Sequence, residues 1–484
     1  MALMKTTTPP MGKAPSYRHV RVNMGSPPLG HCSTSISIPA KGSYLVAARH
    51  GHGRSSSSGR GHHRGPSSSS QNSLRAVGGL NAASIDGMLG EGSMPMNAVA
   101  IPPGTLMLSG DIGGTNSRLC LWASAAEGNA LVSDDGHLEE GDVPCELVYE
   151  KKYRNDQYDS FNKVVMEFLE EAPVDNPVVV AACFAVAGPV SNNSVSFTNR
   201  SSWVVDGAAM AEDFGMARGS VRLINDFVAN GYGLLTLQPH ELHVINDVAP
   251  TPRAPMACVG AGTGLGCTYL TCPPDGGVYD AYPTEGGHTE FAPRTNLEIE
   301  MLKHLMAQFD TIHRISDERI VSGRGIHAVY GFMRKRFPEK VDAELDAAIE
   351  EAGDMAGGTI AQNIDNNVLC KWTMEVFWST YGSAVGSAAL KYLPYGGLYI
   401  AGGIAPKNIE RMFDERDVAF WGDVTHTEKK SFRTGFLPAY NDKGRVRGVL
   451  DSIPLYVVLA EDVGQRGAKL MAYRLLGRVV SSGL

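Results

Sequence analysis

The chain has 484 residues, too many for one hydrophobic core, so we expect two or three structural units. Its 43% hydrophobic content is typical of a soluble globular protein, and no apolar run reaches the roughly twenty residues of a membrane helix. A net charge of −8 gives no general attraction for nucleic acid. The eight cysteines show neither a CxxC pair nor zinc-ligand spacing, which predicts free thiols in a reducing compartment. We therefore expect no membrane and no nucleic-acid partner.

Residues 1–104 form a separate segment, a basic and serine-rich arm. Residues 1–85 contain ten Lys or Arg and sixteen Ser but no Asp or Glu. This composition cannot bury enough apolar surface to offset chain entropy, so we expect the arm to be a disordered transit peptide and linker. Missing acids with abundant Ser and scattered Arg are typical of organelle targeting, and the Ser content favours a plastid over a mitochondrion. The alternative is a disordered tail on a cytoplasmic protein.

Beyond the arm, apolar runs alternate with amphipathic stretches. Strands are predicted within residues 106–122, at 178–186, 221–224, 256–259 and 397–400, and helices at 298–309, 326–337, 372–393 and 463–476. The Gly- and acid-rich residues 126–147 are expected to form a solvated loop. Strands that alternate with helices predict an α/β fold class.

The first predicted strand ends in a glycine turn, Asp111-Ile-Gly-Gly-Thr-Asn116. Gly113 and Gly114 allow backbone amides to approach phosphate oxygens, and Thr115 and Asn116 can add hydrogen bonds. Because a carboxylate does not bind phosphate directly, Asp111 is expected to face a metal ion or its water shell. An ordinary hairpin turn is the alternative interpretation.

Two more glycine-rich turns follow predicted strands, Gly260-Ala-Gly-Thr-Gly-Leu-Gly266 and Gly402-Gly403. The chain has no GxxxxGK[ST] sequence, which excludes a P-loop ATPase. The spacing also differs from GxGxxG, and no ribose-binding acid clearly follows, which argues against a dinucleotide site. Two glycine turns that face each other from two separate lobes of a protein are instead typical of the nucleotide cleft of an actin-like ATPase.

Acids and amides at other strand ends predict a site for a polyhydroxylated substrate. Asn225 and Asp226 follow a strand, and Asp226 could accept the proton of an attacking hydroxyl, typically worth ~10²–10⁴ in rate. The alternative is that the pair caps the next helix. Glu285, His288 and Glu318 could select adjacent sugar hydroxyls, although each alone is more typical of a surface or structural position.

Together these motifs resemble the bacterial-type glucokinases, which belong to the hexokinase, actin and heat-shock ATPase superfamily. The resemblance covers residues 105–480 in the family's order: Gly110-Asp-Ile-Gly-Gly-Thr-Asn-Ser-Arg118, Ala187-Gly-Pro189, Phe197-Thr-Asn199, Ile224-Asn-Asp-Phe227, Gly260–Gly266, Glu285-Gly-Gly-His-Thr-Glu-Phe-Ala292, Glu318-Arg-Ile-Val-Ser-Gly323, Ala401-Gly-Gly-Ile404 and Asp442-Lys-Gly-Arg445. It implies a two-lobed actin-like ATPase (ribonuclease H-like) fold with an interlobe cleft. The small lobe would be residues 105–236, completed by a helix at 462–484, and the large lobe 237–461.

The resemblance also implies an activity, ATP-dependent phosphorylation of D-glucose at O6 to glucose 6-phosphate, with Asp226 as general base. Implied sugar-binding residues are Asn199, Asn225, Asp226, Glu285, His288 and Glu318. Implied nucleotide-binding residues are Asp111, Gly113, Gly114, Thr115, Asn116, Gly262, Thr263, Gly264, Gly402 and Gly403. Mg²⁺ would be held by Asp111 through water, and a homodimer is one assembly left open.

Departures from the family pattern are peripheral, and two functional alternatives stay open. Residues 338–370 and 416–437 are expected to be insertions remote from the chemistry. The CxCGxxGC zinc motif of the related ROK sugar kinases is absent, which favours the zinc-free branch. One alternative is a catalytically inactive sugar-sensing regulator on the same fold. The other is a kinase for a different hexose or a hexosamine.

Overall fold

Strands and helices alternate through the part of the chain that the computed structural model describes, residues 101–125, 137–138, 141–197, 203–273, 277–309, 313–413 and 435–482. The strands are β1 (Leu106–Ile112), β2 (Asn116–Ser124), β3 (Cys145–Arg154), β4 (Val179–Val186), β5 (Ser194–Ser196), β6 (Val204–Asp206), β7 (Val221–Asn225), β8 (Leu242–Asn246), β9 (Met256–Ala261), β10 (Leu265–Thr271), β11 (Asp280–Pro283), β12 (Gly397–Ala401) and β13 (Leu455–Val458). The helices are α1 (Phe161–Glu171), α2 (Gly207–Asp213), α3 (Asp226–Leu234), α4 (Asn296–Gln308), α5 (Gly323–Arg336), α6 (Ala343–Glu351), α7 (Ala356–Gln362), α8 (Val368–Tyr392), α9 (Ile409–Met412), α10 (Phe436–Asn441) and α11 (Val463–Ser482). The α/β prediction is confirmed, and each predicted strand and helix is present with shifted ends.

The two main sheets repeat one pattern of strand pairing. The first has the order β3-β2-β1-β4-β7, and the second β11-β10-β9-β12-β13-β8. In each, an antiparallel hairpin (β1–β2 or β9–β10) leads to a parallel partner for its first strand (β4 or β12). The β1–β2 and β9–β10 turns therefore occupy equivalent places in the two sheets.

Two helices pack in the layer that joins the sheets. Helix α11 contacts α3 and also packs on β1 and β4 of the first sheet. One buried cluster contains side chains from both sheets and from these two helices. The helices approach closely because a Cβ at Gly233 would overlap Val463 and one at Gly467 would overlap Ala229. These contacts hold α11 beside the first sheet, while the limits of the two lobes remain predictions.

One sequence-based expectation about a loop is wrong. Within residues 126–147, Leu138 and Val143 are buried, and β3 begins at Cys145, so a wholly solvated loop is excluded. Within residues 338–370, Ile349 in α6 and Ile360 in α7 are buried in the core beside the second sheet, and the expected remoteness of this stretch from the chemistry stays a prediction. Charged residues mask such isolated apolar positions in composition alone. Most of 416–437 and the whole arm before residue 101 lie outside the described residues.

Candidate functional site

The predicted site residues follow the carboxyl ends of parallel strands, where ligands bind in such sheets. In the first sheet, Asp111 is near the end of β1 and Asn225 ends β7. In the second, the 262–264 turn follows β9 and Gly402 follows β12. A cavity of about 420 Å³ separates the edge strands β7 and β11, and both Asn225 and Glu285 line it. Residues from the two sheets thus share one cavity.

Asp226 is the first residue of α3 and is half-buried. One of its carboxylate oxygens accepts the N–H of Phe227 at 2.9 Å. Burial raises the pKa of Asp226 to about 6, and the nearby charge of Asp111 adds to the increase. The carboxylate is thus ionised at neutral pH but is more basic than an exposed aspartate, which suits a general base.

Asp111 is accessible to solvent. Partial desolvation by the surrounding protein nevertheless raises the pKa of its carboxyl, and the positive charge of Arg118 opposes this increase. Asp111 and Asp226 are close enough for their charges to interact. The negative charges of two neighbouring carboxylates repel each other. Their combined charge would therefore stabilise a divalent cation bound between these side chains and a bound phosphate. Within the described ranges, no group of three or more His, Cys, Asp or Glu forms a metal cage. A cation here would therefore keep most of its water ligands.

Asn225 is a helix cap, as the alternative interpretation stated. Its Oδ1 accepts the N–H groups of Phe227 at 2.9 Å and Val228 at 3.3 Å. Its Nδ2 donates to the carbonyl of Gly188 at 3.2 Å. The Asn225 side chain also bonds the Asp226 carboxylate, which opposes the increase in the Asp226 pKa. Asn225 therefore caps the helix and orients the neighbouring carboxylate.

The first glycine hairpin is held from within its own sheet. Gly113 donates its N–H to the carbonyl of Asn116 at 2.9 Å, while Gly114 and Thr115 are exposed. Asn155, only 1% exposed, donates from Nδ2 to the carbonyl of Gly113 at 2.8 Å.

Asn155 also bonds both flanks of that turn. Its backbone N–H donates to the carbonyl of Thr115 at 2.9 Å, and its Oδ1 accepts the Ser117 hydroxyl at 2.7 Å. Sequence reasoning missed Asn155. The available signal was its place just after β3, since Arg154 at the end of β3 pairs with Asn116. A polar residue there lies next to the hairpin.

The second glycine hairpin is held by residues remote in sequence. Gly262 donates to the carbonyl of Gly264 at 2.8 Å, and Gly323 donates to the carbonyl of Gly262 at 2.8 Å. Leu265 donates its N–H to Oε2 of Glu318 at 3.0 Å. A Cβ at Gly264 would lie 2.6 Å from that same carboxylate oxygen, so a larger residue there would displace the Glu318 side chain. Thr263, at the tip, is exposed.

Phe227, next to the proposed base, connects the two sheets. A Cβ at Gly266 would overlap its ring, and one at Gly260 would come within 2.9 Å of it. These glycines leave space for the aromatic ring against the second hairpin. Gly402, with φ +85°, packs its backbone on Ala261, where a Cβ would overlap. The turn at Gly402 and exposed Gly403 therefore lies beside the 262–264 turn.

Glu285 and His288 lie on a turn that packs against the same hairpin. Their side chains are 66% and 57% exposed, and Glu285 Oε2 is 3.8 Å from His288 Nε2. A Cβ at Gly287 would overlap the carbonyl of Leu265, whose N–H binds Glu318. Asp317 donates its N–H to the carbonyl of Thr289 at 2.9 Å. The structure thus brings Glu285, His288 and Glu318 together, whereas Asn199 lies outside the described residues.

Comparison with known proteins shows the family to which the chain belongs. The profile of the glucokinase family matches residues 108–475, about three quarters of the sequence. The chain belongs to the glucokinase family. The curated glucokinase of Nostoc punctiforme is 37% identical over 382 residues, covering 77% of this chain and 100% of that protein. The glucokinase of a Synechocystis species is 36% identical over 383 residues, covering 76% of this chain and 98% of its own length.

Solved structures show the same fold. The crystal structure of a glucokinase from an Antarctic psychrotroph matches this glucokinase family member with a TM-score of 0.56 and 25% identity, covering 76% of this chain and 99% of that one. A Balamuthia mandrillaris glucokinase in complex with glucose matches with a TM-score of 0.55 and 19% identity, covering 76% and 94%. The predicted actin-like ATPase fold is confirmed. Among the described helices, none combines the length and apolar character needed to cross a bilayer.

Proposed function

We propose that this protein transfers the terminal phosphoryl group of ATP to O6 of D-glucose, giving ADP and glucose 6-phosphate. The observation that carries the proposal is the half-buried Asp226 at the end of β7, with a pKa raised to about 6 by burial. Its neighbour Phe227 packs against the second glycine hairpin. A base between a sugar site and a phosphate-binding turn is what phosphoryl transfer to a hydroxyl requires.

Asp226 accepts the proton of the glucose 6-hydroxyl as that oxygen attacks phosphorus. Its carboxylate accepts the N–H of Phe227 through Oδ1 and also bonds the side chain of Asn225, and these bonds orient it for this step. Ionisation at neutral pH makes it an acceptor, and partial burial keeps it basic. Phe227 holds the start of α3 against the hairpin and so fixes where the carboxylate points.

Sugar recognition is assigned to the surrounding acids and amides. Glu285 and His288 are exposed on their turn and can bind adjacent hydroxyls. Glu318 has one oxygen on Leu265 and another available for a ligand. Asn225 lines the same cavity as Glu285, and its contact with the sugar is proposed from that place. The contact of Asn199 with the sugar is proposed from the family resemblance of the sequence alone.

The nucleotide is assigned to the glycine turns. Gly113, Gly114, Thr115 and Asn116 would hold phosphates from the first sheet, and Gly262, Thr263 and Gly264 from the second. Gly402 and Gly403 would face the adenosine, as the family resemblance implies, and the Gly402 turn packs beside Ala261 at the second hairpin. Mg²⁺ fits near Asp111, which would hold it through water, and there it would neutralise phosphate charge.

A coupled assay for ADP and for glucose 6-phosphate tests the proposal with the full chain, ATP, Mg²⁺ and a panel of hexoses and hexosamines. Glucose should give the highest kcat/KM of the panel. Absence of phosphorylation with glucose, or a clear preference for another hexose, would refute the assignment. The result also separates a kinase from an inactive sugar-binding regulator, which would bind glucose without turnover.

Residues 1–104 are proposed to direct the protein to an organelle, a plastid rather than a mitochondrion. Their support is the basic, acid-free composition of residues 1–85, together with a family match that begins only at residue 108. A fluorescent reporter fused behind residues 1–104 should enter plastids. Diffuse cytoplasmic fluorescence would instead support a tail without a targeting role. Removing residues 1–100 should leave the kinase activity unchanged. A homodimer remains a proposal that sedimentation can test.

A further inference from the structure

A buried tyrosine reaches the base of the second glycine hairpin from a distant helix. Tyr381 lies in the long helix α8 and is fully buried, with its ring edge-on to Phe436. Its hydroxyl accepts the N–H of Ala261 at 3.2 Å and donates to the carbonyl of Val259 at 3.4 Å. One hydroxyl therefore bonds two backbone groups at the end of β9.

Ala261 is the point where two proposed nucleotide-binding turns meet. It directly precedes Gly262, the start of the 262–264 turn. The backbone of Gly402 packs on Ala261 so closely that a Cβ would overlap it. A shift of Ala261 would therefore move both turns. Gly323 bonds the Gly262 carbonyl and Glu318 bonds the Leu265 N–H, so residues 318–323 hold the turn itself, while Tyr381 holds the strand residue that precedes it.

We infer that Tyr381 is a positioning residue for nucleotide binding, which acts by fixing Ala261 and so the backbone amides of the 262–264 turn. The inference rests on the proposed function, because it takes those amides as phosphate ligands. Tyr381 itself does not touch the nucleotide. Its ring fills the core, and only its hydroxyl carries the positioning effect, so Tyr381→Phe removes that effect while keeping the packing.

The chain offers a matched control in the same aromatic cluster. Tyr440, in α10, is buried and stacks on Phe436, the ring that also contacts Tyr381. Within the described part of the chain, its hydroxyl has no hydrogen-bond partner. Tyr440→Phe removes the same atom from the same cluster without touching the hairpin. Any loss common to both variants reports on the core rather than on positioning.

The test measures the two variants and the wild-type full chain with Mg-ATP and glucose. Y381F should raise the KM for ATP about fivefold, the scale of one net hydrogen bond, with the KM for glucose changed less than twofold. Y440F should leave both constants unchanged. Calorimetry with a non-hydrolysable ATP analogue should show the same fivefold loss in Y381F. An unchanged KM and affinity for the nucleotide in Y381F, or equal losses in Y440F, would overturn the inference.

Hydrogen exchange supplies a measurement that does not depend on the variant folding. In the wild type, the Ala261 amide should exchange far more slowly than an exposed turn amide, and in Y381F it should speed up. Fast exchange of Ala261 in the wild type would overturn the inference by itself. Failure of the wild type to phosphorylate glucose would instead refute the proposed function, and it is scored before the variants are compared.

Discussion

The two glycine hairpins occupy equivalent places in their sheets but are supported differently. The β1–β2 turn is held by one side chain, Asn155, from the end of the neighbouring strand. The β9–β10 turn is contacted by Phe227 from α3, Glu318, Gly323 at the start of α5, and Tyr381 from α8. The first turn thus depends on contacts local to its sheet, whereas the second is connected to both the proposed base and the proposed sugar site.

This difference indicates a division of labour between the hairpins. The second hairpin shares Glu318 with the sugar side and Phe227 with the base, so sugar binding and nucleotide binding are expected to influence each other there. Among the described residues, the first hairpin contacts neither Glu318 nor Phe227, and it reaches the base through the charge of Asp111. Substitutions at the second hairpin should therefore change both sugar and nucleotide binding, whereas substitutions at the first, away from Asp111, should change mainly nucleotide binding.

The largest loss of activity is expected from substitution of the base, Asp226, which makes no described hydrogen bond to either hairpin turn. Asp226→Ala should lower kcat by about 10²–10⁴, because a general base contributes on that scale. The affinity for an ATP analogue should change little, since neither turn loses a contact. A kcat within threefold of the wild type would show that Asp226 is not the base.

The pH profile and an isosteric variant sharpen that prediction. Because Asp226 must be ionised and its pKa is about 6, kcat/KM for glucose should fall about tenfold per pH unit below 6. Its pKa is raised on folding, so its ionised form costs stability above pH 6. Asp226→Asn should therefore keep or raise the Tm at pH 8. A lower Tm of Asp226→Asn would indicate that its loss of activity comes from a damaged structure and not from the missing base.

Gly266→Ala tests the contact between the second hairpin and the base. The added Cβ overlaps the Phe227 ring, so we expect a loss of about 3 kcal/mol in the free energy of unfolding by chemical denaturation. Gly262→Ala is the control, because nothing lies within 4 Å of a Cβ there. It should preserve stability while weakening nucleotide binding. Equal stability of both variants would mean that Phe227 does not pack on Gly266.

Asn155→Ala tests the support of the first hairpin. The change removes the bond to the Gly113 carbonyl and leaves the buried Ser117 hydroxyl without its acceptor, so we expect a loss of about 2 kcal/mol. The KM for ATP should rise with little change in the KM for glucose. Asn155→Asp keeps an acceptor for Ser117 but not the donor to Gly113, and should fall between. A rise in the glucose KM would contradict the local role of this hairpin.

The smallest effect separates two of the proposed sugar ligands, Glu318 and Glu285. Glu318→Ala should raise the KM for both glucose and ATP about fivefold, because Glu318 also accepts the N–H of Leu265 in the second hairpin. Glu285→Ala should raise the KM for glucose alone, since it has no described bond to either hairpin. If the two variants behaved alike, the proposed coupling through Glu318 would be absent.

Strand-end motifs could be predicted from the sequence because their chemistry is local. The turn at Asp111, the Asn225–Asp226 pair and the 260–266 turn each combine a strand with residues of special conformation or charge. Asn155 and Tyr381 could not be found this way. Their importance lies in which backbone groups their side chains reach, and Tyr381 is separated from Ala261 by 120 positions.

Apolar residues that are buried within charged stretches of the sequence could not be predicted either. Ile349 is followed by two acids in sequence, yet it is buried in the same core cluster as Ile360 of α7, the helix on which α6 packs. Leu138 lies in a Gly- and acid-rich stretch, but its backbone N–H bonds the Leu235 carbonyl at 2.8 Å. Composition averages over such single apolar positions, whereas packing selects them.

A crystal structure with glucose and a non-hydrolysable ATP analogue tests the central assignment most directly. The distance between an Asp226 carboxylate oxygen and glucose O6 is expected to be about 2.6–3.2 Å, with O6 directed at the γ-phosphorus. A glucose bound with O6 far from Asp226, or with another acid in that position, would contradict the assignment of Asp226 as the base.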